Sequence, residues 1–207
     1  MKCASPNDAQ TVAYFEKLYG ASSDPYGIRT RWYEQRKRDV TLAALPHARY
    51  DWAYEPGCGA GELTAALAQR CGAVLASDFS EHALVSARAR TASLANVRIA
   101  AHALPSQWPY SAVPFDLIVL SEVGYFLEAA AMQQIATCCA ESLGPDGVLV
   151  ACHWRPDFAE RALSTDAVHA ALDTTNLACT VRHEEADFLI QVWCCDSRSV
   201  AQREGIR

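Results

Sequence analysis

The residues most able to do chemistry cluster in Glu55-Pro-Gly-Cys-Gly-Ala-Gly61, where Gly57, Gly59 and Gly61 are evenly spaced. Glycines at that spacing let a backbone turn tightly and come close to a ligand. The helix expected to follow offers its unpaired N-terminal N–H groups. Asp78 lies 21 residues after Gly57, at the end of the next apolar segment. A carboxylate so placed accepts hydrogen bonds from ribose hydroxyls, which points to a nucleoside. The dinucleotide fingerprint is GxGxxG, whereas this loop reads GxGxG and follows an acidic residue, Glu55. A carboxylate there repels a pyrophosphate and suits an ammonium or a sulfonium. S-adenosylmethionine carries both cations and no phosphate.

The elements that must hold these residues follow from the apolar pattern. Short strands are expected over 50–55, 73–77, 97–101, 115–120 and 148–152, with helices at 62–70, 81–93 and 128–143 between them. Phe115-Asp-Leu-Ile-Val-Leu120 is nearly continuous in apolar residues, as in a strand buried on both faces. Alternating strands and helices imply right-handed βαβ units and a parallel sheet, with ligands at the carboxyl ends of the strands. The tail differs. Segments 178–183 and 188–194 are joined only by Glu184-Glu185-Ala186-Asp187, too short for a crossover helix, so these two strands pair antiparallel. The expectation is an α/β, Rossmann-like, seven-stranded, mostly parallel sheet closed by an antiparallel hairpin, with helices on both faces. Residues 1–45 carry helical patterns at 11–19 and 31–45 and form a cap or lid; 46–200 are the binding domain and 201–207 a polar tail.

Composition narrows the function. The 207 residues are 51% hydrophobic, enough for a full core, and carry a formal charge of −6. That charge argues against a nucleic-acid surface, which needs a basic stripe. No run approaches the ~18 apolar residues of a membrane span, and the polar start lacks the apolar run of a secretory signal. Nine cysteines without a CxxC pair read as reduced, buried, small apolar residues of a cytoplasmic protein, and no metal site is expected.

Tyr54–Gly61, Asp78, Phe115–Tyr125, Gly144-Pro-Asp-Gly147 and the closing hairpin together resemble the class I S-adenosylmethionine-dependent methyltransferases over about residues 50–195. Tyr14-Phe15, Leu18-Tyr19, Asp24-Pro25, Arg31-Trp-Tyr-Glu34, Ser121-Glu-Val-Gly-Tyr125 and Cys152-His-Trp-Arg155 look most like the nodulation protein S type. The resemblance implies roles. Gly57, Cys58, Gly59 and Gly61 pass under the methionine portion, and Glu55 sits near its amino group. Asp78 holds the ribose, with Phe79 along the adenine. Ser121 and Glu122 lie beside the sulfonium. Apart from the resemblance, an N-terminal segment folded over the cofactor brings Tyr33 to its carboxylate with Arg31 paired to it. Ala101-His-Ala-Leu-Pro105 departs from the pattern, since relatives carry an acidic residue there for the adenine amino group.

Methyl transfer is an in-line displacement, for which the protein aligns the reactants and excludes water. For an amine acceptor, Glu122 is the first candidate to take the proton and His153 the second. Tyr125 and Trp32 stack on a sugar ring or screen the sulfonium. Competing readings stand beside these. Glu122 also suits a helix N-terminus, His153 a structural hydrogen bond, and the aromatic residues an anchor for the N-terminal helices. Arg36-Lys37-Arg38 reads as a solvated helix face, and His169 lies on an amphipathic helix. The resemblance implies an acceptor amine on a small molecule or a deacetylated chito-oligosaccharide, and a monomer or homodimer. The alternatives are a small-molecule O-methyltransferase, an NAD-dependent oxidoreductase and an inactive cofactor-binding protein.

Overall fold

The structure is a computed structural model that describes residues 6–207, with side-chain surroundings from residue 11. In chain order the helices are α1 (Pro6–Ala21), α2 (Trp32–Ala44), α3 (Glu62–Leu67), α4 (Glu81–Thr91), α5 (Ala129–Ser142), α6 (Thr165–Asp173) and α7 (Val200–Arg203). The strands are β1 (Tyr50–Pro56), β2 (Cys71–Asp78), β3 (Val97–Ala101), β4 (Phe115–Ser121), β5 (Leu143–Trp154), β6 (Ala178–Glu184) and β7 (Phe188–Cys194). They form one seven-stranded sheet in the order β3-β2-β1-β4-β5-β7-β6. The first five strands pair parallel, and β7 pairs antiparallel with β5 and β6. This is the expected Rossmann-like sheet with its closing hairpin. The first five residues of the expected N-terminal cap lie outside the described residues.

Two cores explain the sheet. Along β4, Leu117 and Val119 point to one face, packed with Val74, Val150, Leu84 and Ile190. Ile118 and Leu120 point to the other, packed with Met132, Ile135, Leu172 and Trp193. The period of two puts apolar side chains on both faces because helices cover both. Trp193 and Trp108 are buried with satisfied indole N–H groups, donating to Asp173 Oδ1 and Ser142 Oγ at 2.8 Å each. Six cysteines behave as small apolar groups, Cys58, Cys71, Cys152 and Cys194 in the first core and Cys138 and Cys139 in the second; Cys179 and Cys195 are exposed, against the expectation of burial, and all the described cysteines are free.

Two boundaries differ from expectation. β5 begins at Leu143, ahead of the Gly144–Gly147 segment, because Leu143 already pairs with Phe115 before the register shifts and Val148 pairs with Leu117. The tail is not merely polar: Ser199 and Gln202 form a reciprocal capping box on α7, and an Arg203 guanidinium nitrogen lies 3.0 Å from His47 Nε2. Among the described residues no helix is long and apolar enough to cross a membrane.

Ile118 is fully buried at the centre of the second core. Ile118→Ala should therefore lower unfolding free energy by about 2–5 kcal/mol. Urea denaturation reads this as a lower midpoint at unchanged slope; a loss under about 1 kcal/mol would contradict packing on both faces of β4.

Candidate active site

β1 and β2 end side by side, and the loop after β1 bends over their carboxyl ends. Gly57, Gly59 and Gly61 have φ of 70°, 51° and 81°, the left-handed region that glycine enters without a Cβ penalty. The loop is closely covered. A Cβ at Gly59 would lie 2.6 Å from the Tyr19 hydroxyl of α1, and one at Gly57 would run into Val123 after β4. Cys58 N–H donates to Ser77 O at 2.9 Å, tying the loop to β2, while its side chain joins the core.

Asp78 anchors this bend. One carboxylate oxygen accepts from Gly59 N–H and the other from Ser80 N–H, each at 3.0 Å. Burial pushes its carboxyl up, and these backbone donors oppose the shift. Glu55 is buried beneath the loop, with one oxygen accepting from Thr64 Oγ1 at 2.6 Å. Desolvation pushes it up to about 8, against the Thr64 hydrogen bond. Phe79 follows Asp78 and is 37% exposed, with its ring edge-on to Phe15 of α1 at 5.7 Å.

Across the cleft, Glu122 follows the last residue of β4 with φ of 59°. Among the described residues it is the one non-glycine in the left-handed region. Such strain, on the order of 1 kcal/mol, persists only where surroundings fix it. Here they do. Glu122 Oε1 accepts from Lys37 Nζ at 2.7 Å, and Oε2 accepts from Trp154 N–H at 3.0 Å and from the Tyr125 hydroxyl. Lys37 is buried, 3.1 Å from Glu34 as well, with its ammonium 5.2 Å from the Tyr33 ring centroid. Burial lowers the Lys37 pKa, but Glu122 and Glu34 outweigh it and the net shift is upward. Burial, then the Glu122 charge, hold the Tyr125 hydroxyl well above its ordinary range, so it stays a donor.

The other expected residues fall in different places. Ser121 is half-buried at the end of β4, paired with Cys152. His153 is 0% exposed and lies under the cleft: Gly124 N–H donates to its Nε2 at 3.1 Å, and its Nδ1 lies 3.1 Å from His169 Nε2. Burial and the neighbouring His169 hold its pKa well below the ordinary range. The structure thus keeps it away from solvent and commits both its nitrogens, which does not suit a proton shuttle at the cleft surface. Tyr33 packs edge-on to Trp154 at 5.8 Å and Phe188 at 6.2 Å, and its buried hydroxyl has no partner. Arg31 is exposed at the start of α2, its side chain near Gly27; Arg29 instead reaches the loop, with Nε 2.7 Å from Glu62 Oε1. Trp32, at the start of α2, is 67% exposed.

Lys37 corrects the solvated-face reading of Arg36-Lys37-Arg38. Arg36 turns outward to Glu185 and Arg38 to Ile28 O, but Lys37 turns inward. Lys37 lies four residues after Tyr33 and four before Thr41, so it shares the helical stripe that turns inward.

The donor and acceptor set fits an adenosine sulfonium. Two buried polar atoms at this end of the sheet lack partners, the Tyr33 hydroxyl near Lys37 and His102 Nδ1 just after β3, whose backbone N–H bonds Asp78 O at 3.0 Å. His102 stands in the segment that has no carboxylate. Among the described residues no His, Cys, Asp and Glu group is arranged to hold a metal ion.

A sheet of this order with a glycine-rich bend before Asp78 defines a class I methyltransferase. Residues 53–147 match the family model described as a methyltransferase domain, and the chain belongs to the class I S-adenosylmethionine-dependent methyltransferases, enzymes that methylate. A Pseudomonas syringae structure described only as a methyltransferase is 45% identical, with 79% of this chain and 99% of that chain covered and a TM-score of 0.71. The N-methyltransferase NodS from Bradyrhizobium japonicum WM9, solved with S-adenosyl-L-homocysteine, is 26% identical over 89% of this chain and 97% of its own, with a TM-score of 0.78. Chondramide synthase cmdD of Chondromyces crocatus is 33% identical over 184 residues, 87% of this chain. The chain spans about 4% of the length of that curated relative.

Because Lys37 neutralises half-buried carboxylates, Lys37→Met should destabilise by about 3 kcal/mol, leaving Glu122 uncompensated. Adding Glu122→Gln should recover part of that loss. A double-mutant cycle in urea with no coupling would remove the ion pair from the account.

Proposed function

We propose that this enzyme transfers the methyl group of S-adenosylmethionine to an amine of a small or sugar-like acceptor. One observation carries the reading: an ammonium, that of Lys37, already sits beside Glu122 and Glu34 with an aromatic face 5.2 Å away. The same place that holds this cation attracts a cationic amine through two carboxylates set against one resident charge. The 26% identity to an N-methyltransferase supports the same choice. A hydroxyl acceptor is the second reading, favoured by the phenolic hydroxyl of Tyr125 on the same carboxylate.

The cofactor, when bound, supplies a methyl carbon activated by positive sulfur. The chain's own residues do the rest. Gly57, Cys58, Gly59 and Gly61 present backbone to the methionine portion, and Glu55 faces its ammonium. Asp78 takes the ribose hydroxyls, and Phe79 covers the base. Tyr33, whose hydroxyl has no partner, and Arg31 serve the cofactor carboxylate. Ser121, Glu122 and Tyr125 line the acceptor side. Glu122 accepts the proton that an ammonium product must lose, while Tyr125 fixes its second oxygen. His153 supports this side from below. Residues 1–45 act as a lid, with Tyr19 over Gly59 and Phe15 against Phe79 excluding water. The net charge of −6 favours a small molecule or oligosaccharide over a nucleic acid, and the free cysteines suit a reducing, cytoplasmic setting.

A labelled-methyl assay against deacetylated chitin oligomers, an amine panel and a phenol panel tests the acceptor class. Methylation confined to phenols would overturn the amine reading. On the accepted amine, Glu122→Gln should lower kcat on the order of 10–100-fold with S-adenosylhomocysteine affinity nearly unchanged. Wild-type turnover would retire Glu122.

Glu55 makes a separate prediction. At about 8 in the free protein it is largely protonated at pH 7. A bound ammonium favours its carboxylate form, so binding releases about one proton. Affinity should therefore rise with pH up to about 8 and then level off. Calorimetry of S-adenosylhomocysteine binding in buffers of different ionisation enthalpy reads the proton directly. Glu55→Gln should abolish the release; a wild-type value of zero would move the ammonium elsewhere.

A further inference from the structure

Beneath the cleft runs a line of buried hydrogen bonds that the methyl transfer reading leaves without a role. It starts at Gly124 N–H, in the single 3-10 turn Gly124–Phe126 that follows Glu122. It passes through His153 on β5 and His169 on α6, and ends at Gln191 on β7, whose Oε1 lies 2.7 Å from His169 Nδ1. His153, His169 and Gln191 are all buried.

Chemistry at one end fixes the direction of every proton. A backbone N–H can only donate, so His153 Nε2 must carry the lone pair. Neutral His153 then holds its proton on Nδ1 and donates to His169 Nε2. His169 in turn holds its proton on Nδ1 and donates to Gln191 Oε1. Both rings are neutral in this arrangement, in keeping with the burial that holds His169 down to about 4. The charges around the line come from several elements: Arg161 and Lys37 act on His153, and Arg182, Asp173 and Asp166 on His169. The turn is also fitted closely. A Cβ at Gly124 would run into Val168 of α6 and stand 3.1 Å from His153 Nε2. Tyr125, next in the chain, lays its ring edge-on to His153 at 5.4 Å.

We propose that His169, acting through His153, is a positioning residue that locks the Gly124–Phe126 turn and so aims the Tyr125 hydroxyl at Glu122. Without an acceptor at His169, only the Gly124 N–H still favours the proton on Nδ1, and the Nε2–H tautomer gains population. In that tautomer the proton faces the Gly124 N–H, donor against donor, and the turn loosens. The significance for the reaction rests on Glu122 and Tyr125 lining the acceptor side, but the arrangement itself is testable without cofactor or acceptor.

Long-range 15N–1H spectra of the full chain at pH 7 should show His153 as the Nδ1–H tautomer. An Nε2–H tautomer in the wild type would overturn the proposal outright. In His169→Leu, the second His153 tautomer should appear, the Gly124 amide should exchange at least about tenfold faster, and the Tyr125 13Cζ resonance should shift. His169→Gln keeps an acceptor oxygen near the place of Nε2 and should restore Gly124 protection. Unchanged Gly124 exchange in His169→Leu, or no rescue by glutamine, would reduce His169 to packing. If His169→Leu does not fold, the wild-type tautomer and the glutamine variant still decide. Failure of these spectra would leave the methyl transfer reading standing, and failure of the transfer assay would leave the tautomer result standing.

Discussion

The carboxylate of Glu122 sits just past the end of β4 in a left-handed backbone conformation and accepts hydrogen bonds from α2, from the turn after β4 and from the end of β5. The strain of the backbone and the burial of Lys37 are both unfavourable alone. Together they are stable, because the backbone turn is what aims the carboxylate at three donors at once. Remove the turn and Lys37 is a buried charge without compensation. Remove Lys37 and the carboxylate loses its counter-charge. The N-terminal helix α2 is thereby tied to the carboxyl end of β4 by a polar contact.

Three carboxylates at this end of the sheet have different surroundings. Glu122 has a cation beside it. Asp78 has two backbone N–H donors, which oppose but do not cancel its desolvation. Glu55 has only the Thr64 hydroxyl against full burial, and it is the one pushed up to about 8. The difference between Asp78 and Glu55 follows from what faces their oxygens, two backbone dipoles or one hydroxyl.

The sheet was legible in the sequence because each strand announces itself by length and apolar content, and because Glu184–Asp187 is too short to be anything but a hairpin connection. The glycine bend and Asp78 were legible because close backbone approach leaves a residue-type signature. Lys37 was not, since a run of three basic residues looks solvated until one knows which of them faces the sheet, and successive helical residues point about 100° apart. The partnership of His153 with His169 was not legible either. The two are 16 positions apart on β5 and α6, and only the packing of that helix brings the rings within 5.1 Å. The Arg29–Glu62 pair was not legible, because sequence spacing alone does not show which arginine near the turn at Gly27 reaches Glu62. The capping box at Ser199–Gln202, by contrast, is visible as Ser-x-x-Gln and marks a helix in a tail that reads as merely polar.

The two N-terminal helices hold the cleft by different physics. α2 is fixed by the buried Lys37 pair and by Arg70, whose guanidinium bonds Leu42 O and His47 O where that helix ends. α1 is held by the edge contacts of Phe15 with Phe79 and Phe126, by Tyr19 over the glycine loop, and by an exposed pair between Glu16 and His82. Exposed pairs contribute little, and aromatic edge contacts about 1 kcal/mol each. Breaking a buried charge pair costs several times more. α1 is therefore held to the loop more weakly than α2 is held to the sheet.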